Sequence, residues 1–210
     1  MGIIKRGILG GFSNKVANVV GTSWKGRAVI KSVPLSVANP RTTPQVNQRN
    51  KFKGASQFAS PILGAWIKPL FDRFSGDIAG INLWMKENIT HFSIMGTPNY
   101  PLLEMSKGKM QVPTIDGISS NPPLGALTVA ITPTADPTWA TPQIEVFALA
   151  INTRTGEKRV GTQLVSGTTQ ANIFLQFDDL LALDTMAIYS AVKRSDGTQV
   201  SNSSYASLPA

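Results

Sequence analysis

The chain of 210 residues contains no cysteine, a single histidine, His91, and no acidic residue before Asp72. The absence of cysteine excludes disulfides, thiolate metal sites and cysteine nucleophiles. A zinc site or a Ser-His-Asp triad would depend on His91 alone, and the neighbouring sequence offers no cluster of carboxylates to complete one. We therefore expect a structural or solvent-facing role for His91, no cofactor, no bound metal and no enzymatic activity.

Long apolar runs are missing as well. No stretch approaches the roughly 18 apolar residues of a transmembrane helix. The basic pair Lys5-Arg6 precedes the apolar run Ile8–Phe12, which is interrupted by Gly10 and Gly11. This run is shorter than the core of a secretion signal, which needs about 7–15 apolar residues. The sequence predicts a chain without a membrane span that is made in the cytoplasm.

The charge of the chain is distributed unevenly. Its 42% apolar and 15% charged residues are typical of a globular protein, and the net charge is +8. Residues 1–110 hold 15 basic and 4 acidic residues, whereas residues 111–210 hold 5 basic and 8 acidic residues. An asymmetry of this kind indicates two surfaces with different partners.

The stretch 5–53 is the strongest functional signal, because it contains ten basic residues and no acidic one. Lysine and arginine bind nucleic-acid phosphates with release of counterions, and aromatic rings stack on bases. The same cations would complement acidic neighbours in a protein assembly, so both interpretations stay open. The candidate contact residues for a polyanion or another subunit are Lys5, Arg6, Lys15, Trp24, Lys25, Arg27, Lys31, Arg41, Arg49, Lys51 and Lys53.

Residues 1–35 consist of short apolar segments separated by glycine, which is typical of strands and hairpins. The segment Pro34–Pro40 predicts an extended linker. Thr43-Pro44 is typical of a helix start, with threonine as the cap and proline in the first turn. Apolar residues then recur every three or four positions, with breaks expected at Ser60-Pro61 and Lys68-Pro69.

A second helix is predicted from Gly76 to about Ile89, with Ser75 as its cap, so that the two helices form a hairpin. The apolar face of this hairpin is rich in aromatic residues. It packs either on the carboxy-terminal domain or on a neighbouring subunit. The candidate apolar subunit contacts are Trp66, Phe71, Phe74 and Trp84.

Residues 126–210 have the pattern of a β-sandwich of the immunoglobulin or fibronectin type. Turn signals at Thr155-Gly156 and Asp196-Gly197 separate its apolar runs. The predicted strands are Ala126–Thr132, Gln143–Ile151, Arg159–Val165, Gln170–Phe177, Thr185–Lys193 and Gln199–Ala206.

We expect an α+β fold in three parts. A basic β-hairpin arm and the helical hairpin occupy 1–95, and an immunoglobulin-like β-sandwich occupies 126–210. The segment 96–125 is rich in proline and glycine and is predicted to be a connector, with one short strand near Leu102–Met105.

Two further patterns are similar to chemical sites. Gly21 to Ala28 has the glycine spacing of a phosphate-binding loop, but arginine and alanine stand where that motif needs lysine and serine or threonine. Asp178, Asp179 and Asp184 would suit a cation site or an acid/base pair. They lie in a loop between two predicted strands, and we expect them to be solvated.

Several segments of the chain match the sequence pattern of a known protein family. They are Gly7-Ile-Leu-Gly-Gly-Phe-Ser-Asn-Lys-Val16, Ser23-Trp-Lys-Gly26, Asn39-Pro-Arg-Thr42 with the glutamine- and arginine-rich segment after it, and the ending Val200-Ser-Asn-Ser-Ser-Tyr205. Together they resemble an uncharacterised domain family of Bacteroides-group bacteria and their phages, in which glycine commonly stands at the position of Asn14. The resemblance touches both ends of the chain and implies no catalytic residue.

These observations favour a non-enzymatic structural protein that assembles into a larger particle. The segment Asn39-Pro-Arg-Thr42, followed by a glutamine- and arginine-rich helix and an immunoglobulin-like domain, is also similar to small phage structural proteins. This similarity implies a capsid or tail component located in the virion, with the bacterial cytoplasm as the alternative. The expected partners are further copies of the chain or other virion proteins. Two alternatives stay open: a nucleic-acid-binding or genome-packaging protein that contacts DNA or RNA, and a surface-binding immunoglobulin-like module.

Overall fold

The structure is a computed structural model, and it describes residues 3–4, 12–24, 27–33, 36, 39–72, 79–134 and 143–208. The chain forms two compact units, Met1–Thr42 and Thr43–Ala210. The predicted helices and the predicted sandwich therefore lie in one unit, and the boundaries expected at 95 and 125 do not separate compact units. The α+β fold class is confirmed.

The described residues of the first unit form an antiparallel sheet, which we call the arm sheet. Its strands follow each other in chain order, which confirms the predicted strands and hairpins. The loop Ala17–Asn18 joins two of them, and Ala17 and Asn14 have φ angles of 50° and 76°. Asparagine and glycine tolerate this left-handed region better than other residues. The strands are β1 (Ile3–Ile4), β2 (Phe12–Val16), β3 (Val19–Trp24) and β4 (Arg27–Ser32).

The second unit begins with helix α1, Thr43–Ala59, at the threonine-proline pair that predicted it. A 3₁₀ turn follows at Ser60–Ile62, and a π-helical segment at Leu63–Ile67 leads into α2, Lys68–Phe71. Both predicted proline breaks are confirmed, because the regular helical hydrogen bonding changes at each of them. Most of the expected linker Pro34–Pro40 lies outside the described residues.

Helix α3, Gly80–Asn88, begins later than the sequence predicted. Ala79 precedes it in an extended conformation, so a continuous helix from Gly76 is wrong. The carboxylate of Asp72, at the end of α2, accepts a hydrogen bond of 2.8 Å from the amide of Gly80. This contact satisfies one of the free amides of the new helix. The predicted cap Ser75 lies outside the described residues.

Within the described residues, seven strands form the two sheets of the sandwich. One sheet has the order β5-β6-β9 and the other has the order β11-β10-β7-β8. This arrangement is consistent with an immunoglobulin-like fold. Five of the six predicted strands are present with their ends shifted by at most one residue. The sixth, expected at Gln199–Ala206, is Ser204–Leu208, because Val200 and Ser201 form only isolated bridges. The strands are β5 (Thr114–Asn121), β6 (Ala126–Thr132), β7 (Gln143–Asn152), β8 (Lys158–Ser166), β9 (Ala171–Gln176), β10 (Met186–Arg194) and β11 (Ser204–Leu208).

The connector is where the sequence prediction fails. Strand β5 lies inside it, and the strand expected near Leu102–Met105 is absent, since a 3₁₀ turn ends at Leu102 and irregular backbone follows. Hydrogen bonds from side chains, rather than from a neighbouring strand, satisfy the backbone amides and carbonyls of this segment. The amide side chain of Asn88 makes two hydrogen bonds of 2.8 Å to the backbone of Glu104, and Ser203 Oγ accepts a hydrogen bond from the amide of Met105.

The central strands β7 and β10 are buried on both faces. In β7, Ile144, Val146, Ala148 and Ala150 belong to the core between the sheets, whereas Phe147, Leu149 and Ile151 belong to a second core shared with the helices. Strand β10 alternates in the same way. The unit thus has three layers: helices, the four-stranded sheet and the three-stranded sheet. Strands covered on both faces have nearly continuous apolar sequences, which explains the imperfect alternation around Phe147.

The aromatic face of the helices packs on the four-stranded sheet. Trp66 and Trp84 are 0% exposed and Phe71 is 1% exposed. The indole N–H of Trp66 donates a hydrogen bond of 2.7 Å to the carbonyl of Met105, and its ring meets Phe147 edge to face. The aromatic face of the helices therefore packs on the carboxy-terminal domain, which was the first of the two predicted alternatives. These three side chains are not a surface for a neighbouring subunit. Phe74 lies outside the described residues.

A glycine contact between α1 and the loop after α3 gives a stability prediction. A Cβ at Gly54 would collide with the carbonyl of Gly96. We expect Gly54→Ala to lower the free energy of unfolding by about 1–3 kcal/mol, although alanine is the better helix former. Denaturant unfolding measures this change.

The matched control is Gly64→Ala, because no atom lies within 4 Å of a Cβ added at Gly64. We expect this variant to be at least as stable as the natural chain. Equal effects of the two substitutions would contradict the packing assigned to Gly54.

Candidate interaction surface

The register of the arm sheet separates its described side chains into two faces. Lys15, Val20 and Lys31 stand side by side on β2, β3 and β4, and Thr22 and Val29 continue the same face. This is the cationic face. With strands about 4.8 Å apart, two strand spacings separate the backbones at the two lysines by about 10 Å. Both lysines are exposed.

The opposite face of the arm sheet carries no charge among its described side chains. It contains Asn14, Val16, Val19, Gly21, Ile30 and Ser32, because Val16 pairs with Val19 and Gly21 pairs with Ile30. We call it the uncharged face. Ile30 is 62% exposed and Val16 is 42% exposed. The sequence analysis missed these residues as contact candidates, since the two faces become visible only once the register is known.

The remaining predicted contact residues lie outside this row of the cationic face or outside the described residues. Lys5, Arg6 and Lys25 lie outside the described residues. Trp24 and Arg27 are opposite each other in the register of β3 and β4. Arg41, Arg49 and Lys53 are exposed and Lys51 is half-buried.

Helix α1 presents an exposed side along most of its length. Only Ala55, Phe58 and Ala59, near its end, are buried. Arg49 and Lys53 are four residues apart and therefore lie on the same side of the helix. This places two of the predicted contact residues together and Lys51 on a different side.

The phosphate-loop pattern is not a nucleotide site. Residues Gly21 to Trp24 and Arg27 to Ala28 belong to the paired strands β3 and β4. A phosphate-binding loop joins a strand to a helix, whose amino terminus faces the phosphates. The described residues of the hairpin provide no such helix, and the glycine spacing is incidental to its strands.

The acidic loop forms ion pairs. Arg154 Nε donates to Asp184 Oδ1 at 2.6 Å, and its guanidinium also contacts Asp179 at 3.0 Å, while Arg159 contacts Asp178. Asn152 Nδ2 donates a hydrogen bond of 2.6 Å to Asp184. The hydrogen bond from Arg154 is the largest cause that lowers the pKa of the Asp184 carboxyl, followed by the one from the amide of Leu181. This network joins the turn after β7 to the loop before β10, and Asp184 is buried where we had expected a solvated residue.

The described residues include no group of three or more histidine and acidic residues arranged to hold a metal ion. His91 is half-buried in a 3₁₀ turn after α3, and its carbonyl accepts a hydrogen bond of 2.9 Å from the amide of Asn99. No helix in the described part of the chain combines the length and hydropathy needed to cross a bilayer.

These features define an α+β protein with an immunoglobulin-like sandwich, a helical layer and a separate arm sheet. The chain belongs to the family described as "Family of unknown function (DUF6266)", whose profile matches residues 11–207. No curated protein matches the chain.

The network around Asp184 predicts how stability depends on pH. Its side chain is 2% exposed, and its pKa is lower in the folded state than the value of about 3.9 expected when unfolded. Its contribution to the free energy of unfolding is therefore present above about pH 4 and is lost as the pH falls toward the folded pKa. We expect Asp184→Asn to lower the melting temperature at pH 7 and to reduce the loss of stability between neutral and acidic pH.

Asp178→Asn is the control, because Asp178 has an 86% exposed side chain and also pairs with an arginine. Exposed ion pairs contribute little, so this variant should melt close to the natural chain. Thermal melts from pH 7 to pH 3 compare the variants. An equal effect of both substitutions would contradict a structural role of the buried carboxylate.

Proposed function

We propose that the chain is a non-enzymatic structural protein that joins a larger assembly through its arm sheet. The observation that carries the proposal is the uncharged face, where Val16, Val19 and Ile30 are 42%, 36% and 62% exposed. A neighbouring protein that covers these side chains would gain the free energy of removing apolar surface from water.

The small size of the first unit is a further argument that it requires a partner to be stable. Units near 40 residues seldom have enough core to be stable alone and usually depend on disulfides, metals or oligomerisation. The unit Met1–Thr42 has no cysteine. Among the described strands, β4 pairs only with β3 and leaves one edge open, and an open edge is a place where another chain can add a strand.

The setting we propose is a phage particle, with the chain as a capsid or tail component and the virion as its location. This finer assignment rests on the sequence resemblance described above and on the charge asymmetry, which gives the amino-terminal half a surface different from that of the sandwich. The proposed partners are further copies of the chain or other proteins of the particle.

Two adjacent strand residues on opposite faces test the assembly role. We expect Ile30→Thr to lower the mass of the assembled species, because it places a polar group on the uncharged face while keeping a β-branched side chain. Val29→Thr is the matched control on the cationic face and should assemble like the natural chain. Light scattering across a range of protein and salt concentrations measures the mass.

Contacts between apolar side chains persist at high salt, whereas contacts between exposed charges weaken. Assemblies that persist at high salt and dissociate in Ile30→Thr alone are the expected result. A natural chain that stays monomeric at every concentration, or equal behaviour of both variants, would contradict the proposal.

A second function, contact with nucleic acid, is favoured by the cationic face. Lys15 and Lys31 lie on the same face and are exposed, and neither makes an ion pair in the described part of the chain. Lysines placed in this way can contact phosphates without reading sequence. The two functions are compatible, since they use opposite faces of the arm sheet.

The salt dependence of DNA binding tests this second function. We expect the double variant Lys15→Gln, Lys31→Gln to reduce the slope of log K against log salt by about 2, since each phosphate contact contributes about 0.9. Lys86→Gln, on α3, is the control and should leave the slope unchanged. Binding that is absent, or a slope equal in all three proteins, would exclude a phosphate contact by this face.

A further inference from the structure

The outer face of the three-stranded sheet has the features of a carbohydrate site. We propose that this face, turned away from the core of the sandwich, binds a neutral carbohydrate chain with Phe174 as the stacking platform. This inference does not depend on the assembly role of the arm sheet, because it uses a different sheet in a different unit.

The register of β5, β6 and β9 gives the composition of this outer face. Three rows extend across all three strands: Ser119, Thr128 and Phe174, then Gly117, Ala130 and Asn172, then Asn121, Ala126 and Gln176. Every polar group in these rows is a hydroxyl or an amide. A carboxylate, Asp116, follows in the next row and accepts hydrogen bonds from Thr114, Thr132 and Gln170. The opposite sheet of the sandwich has its outer face covered by the helices, so this is the sheet face left open.

Phe174 lies at the end of its row, halfway along the edge strand β9, and is 61% exposed. Thr128 stands beside it on β6, Ala130 lies in the adjacent row, and Asn172 and Gln176 flank it on β9. Farther across the face, on β5, a Cβ added at Gly117 would meet no atom within 4 Å, so the face is open there as well. Because the ring of Phe174 is largely exposed, a planar sugar face can reach it from solvent.

Polar groups around the ring are available to a ligand. Gln176 is engaged, because its Nε2 donates a hydrogen bond of 2.6 Å to the carbonyl of Leu124. By contrast, the side chains of Ser119, Asn121, Thr128 and Asn172 make no hydrogen bond within the described part of the chain. Hydroxyl and amide groups both donate and accept, which is what the hydroxyls of a sugar require.

The composition of the face argues for a neutral carbohydrate over the other classes of ligand. Nucleic acids and acidic glycans need lysine or arginine, and these rows have neither. A protein interface normally centres on several apolar or aromatic side chains, whereas Phe174 is the single large one here. An aromatic ring at the edge of a surface of uncharged donors and acceptors matches a ligand whose apolar C–H face is bordered by hydroxyls.

Affinity electrophoresis of the full chain tests the proposal directly. Native gels would contain one soluble neutral polysaccharide each: xylan, mixed-linkage β-glucan, galactomannan or amylopectin. We expect retardation by at least one of them, loss of at least tenfold in affinity in Phe174→Ala, and retention in Phe174→Tyr. Asn172→Ala should bind several-fold more weakly, because it removes an amide next to the ring.

The control is Leu183→Ala, which removes an apolar side chain that is 80% exposed on a loop of the same unit and should not affect retardation. Thermal melts of each variant verify that the fold is kept. The proposal is overturned if none of the four polysaccharides retards the natural chain, or if Phe174→Ala and Leu183→Ala behave alike. It is also overturned if Phe174→Ala changes the oligomeric mass without changing retardation, since the face would then be a protein contact.

Discussion

The burial of strands β7 and β10 on both faces is the constraint on which the second unit depends. Side chains that alternate along each strand fill two different cores, one between the sheets and one beneath the helices. The helical layer and the sandwich therefore share a structural element, and each core contributes to holding the other in place. A polar substitution in either strand would disturb both cores at once, and this explains why the sequence of these strands is apolar almost throughout.

This arrangement also determines which surfaces are left for partners. The helices cover one outer face of the sandwich. They bury Trp66, Phe71 and Trp84, which the sequence analysis named as candidate subunit contacts. The exposed surfaces include the outer face of β5, β6 and β9 and one side of α1 in the second unit, and both faces of the arm sheet in the first. The arm sheet places its described lysines on the face opposite Val16, Val19 and Ile30, although Val29 shares the face of the lysines. A protein contact through the uncharged face and a polyanion contact through the lysines would use different side chains.

Much of the architecture could be predicted from the sequence. The threonine-proline start of α1, the proline breaks and five of the six strands after 126 follow from local rules that depend on neighbouring residues. The predictions failed where distant groups decide the conformation. Asp72 fixes the start of α3, Asn88 holds the backbone at Glu104, and β5 forms because β6 lies beside it. The candidate surfaces were only partly predictable, since the basic residues are visible in the sequence whereas the two faces of the arm sheet and the position of Phe174 require the register.

Hydrogen exchange of the backbone amides, measured on dilute monomer and on concentrated protein, tests the central claim that the second unit is stable alone while the arm sheet requires a partner. The account predicts strong protection in Gln143–Asn152 and Met186–Arg194 at both concentrations. It predicts weak protection in Val19–Trp24 and Arg27–Ser32 in the dilute sample and a clear gain on concentration. Arm strands that are as protected as the central strands in the dilute monomer would contradict it, because the arm sheet would then be stable without any partner.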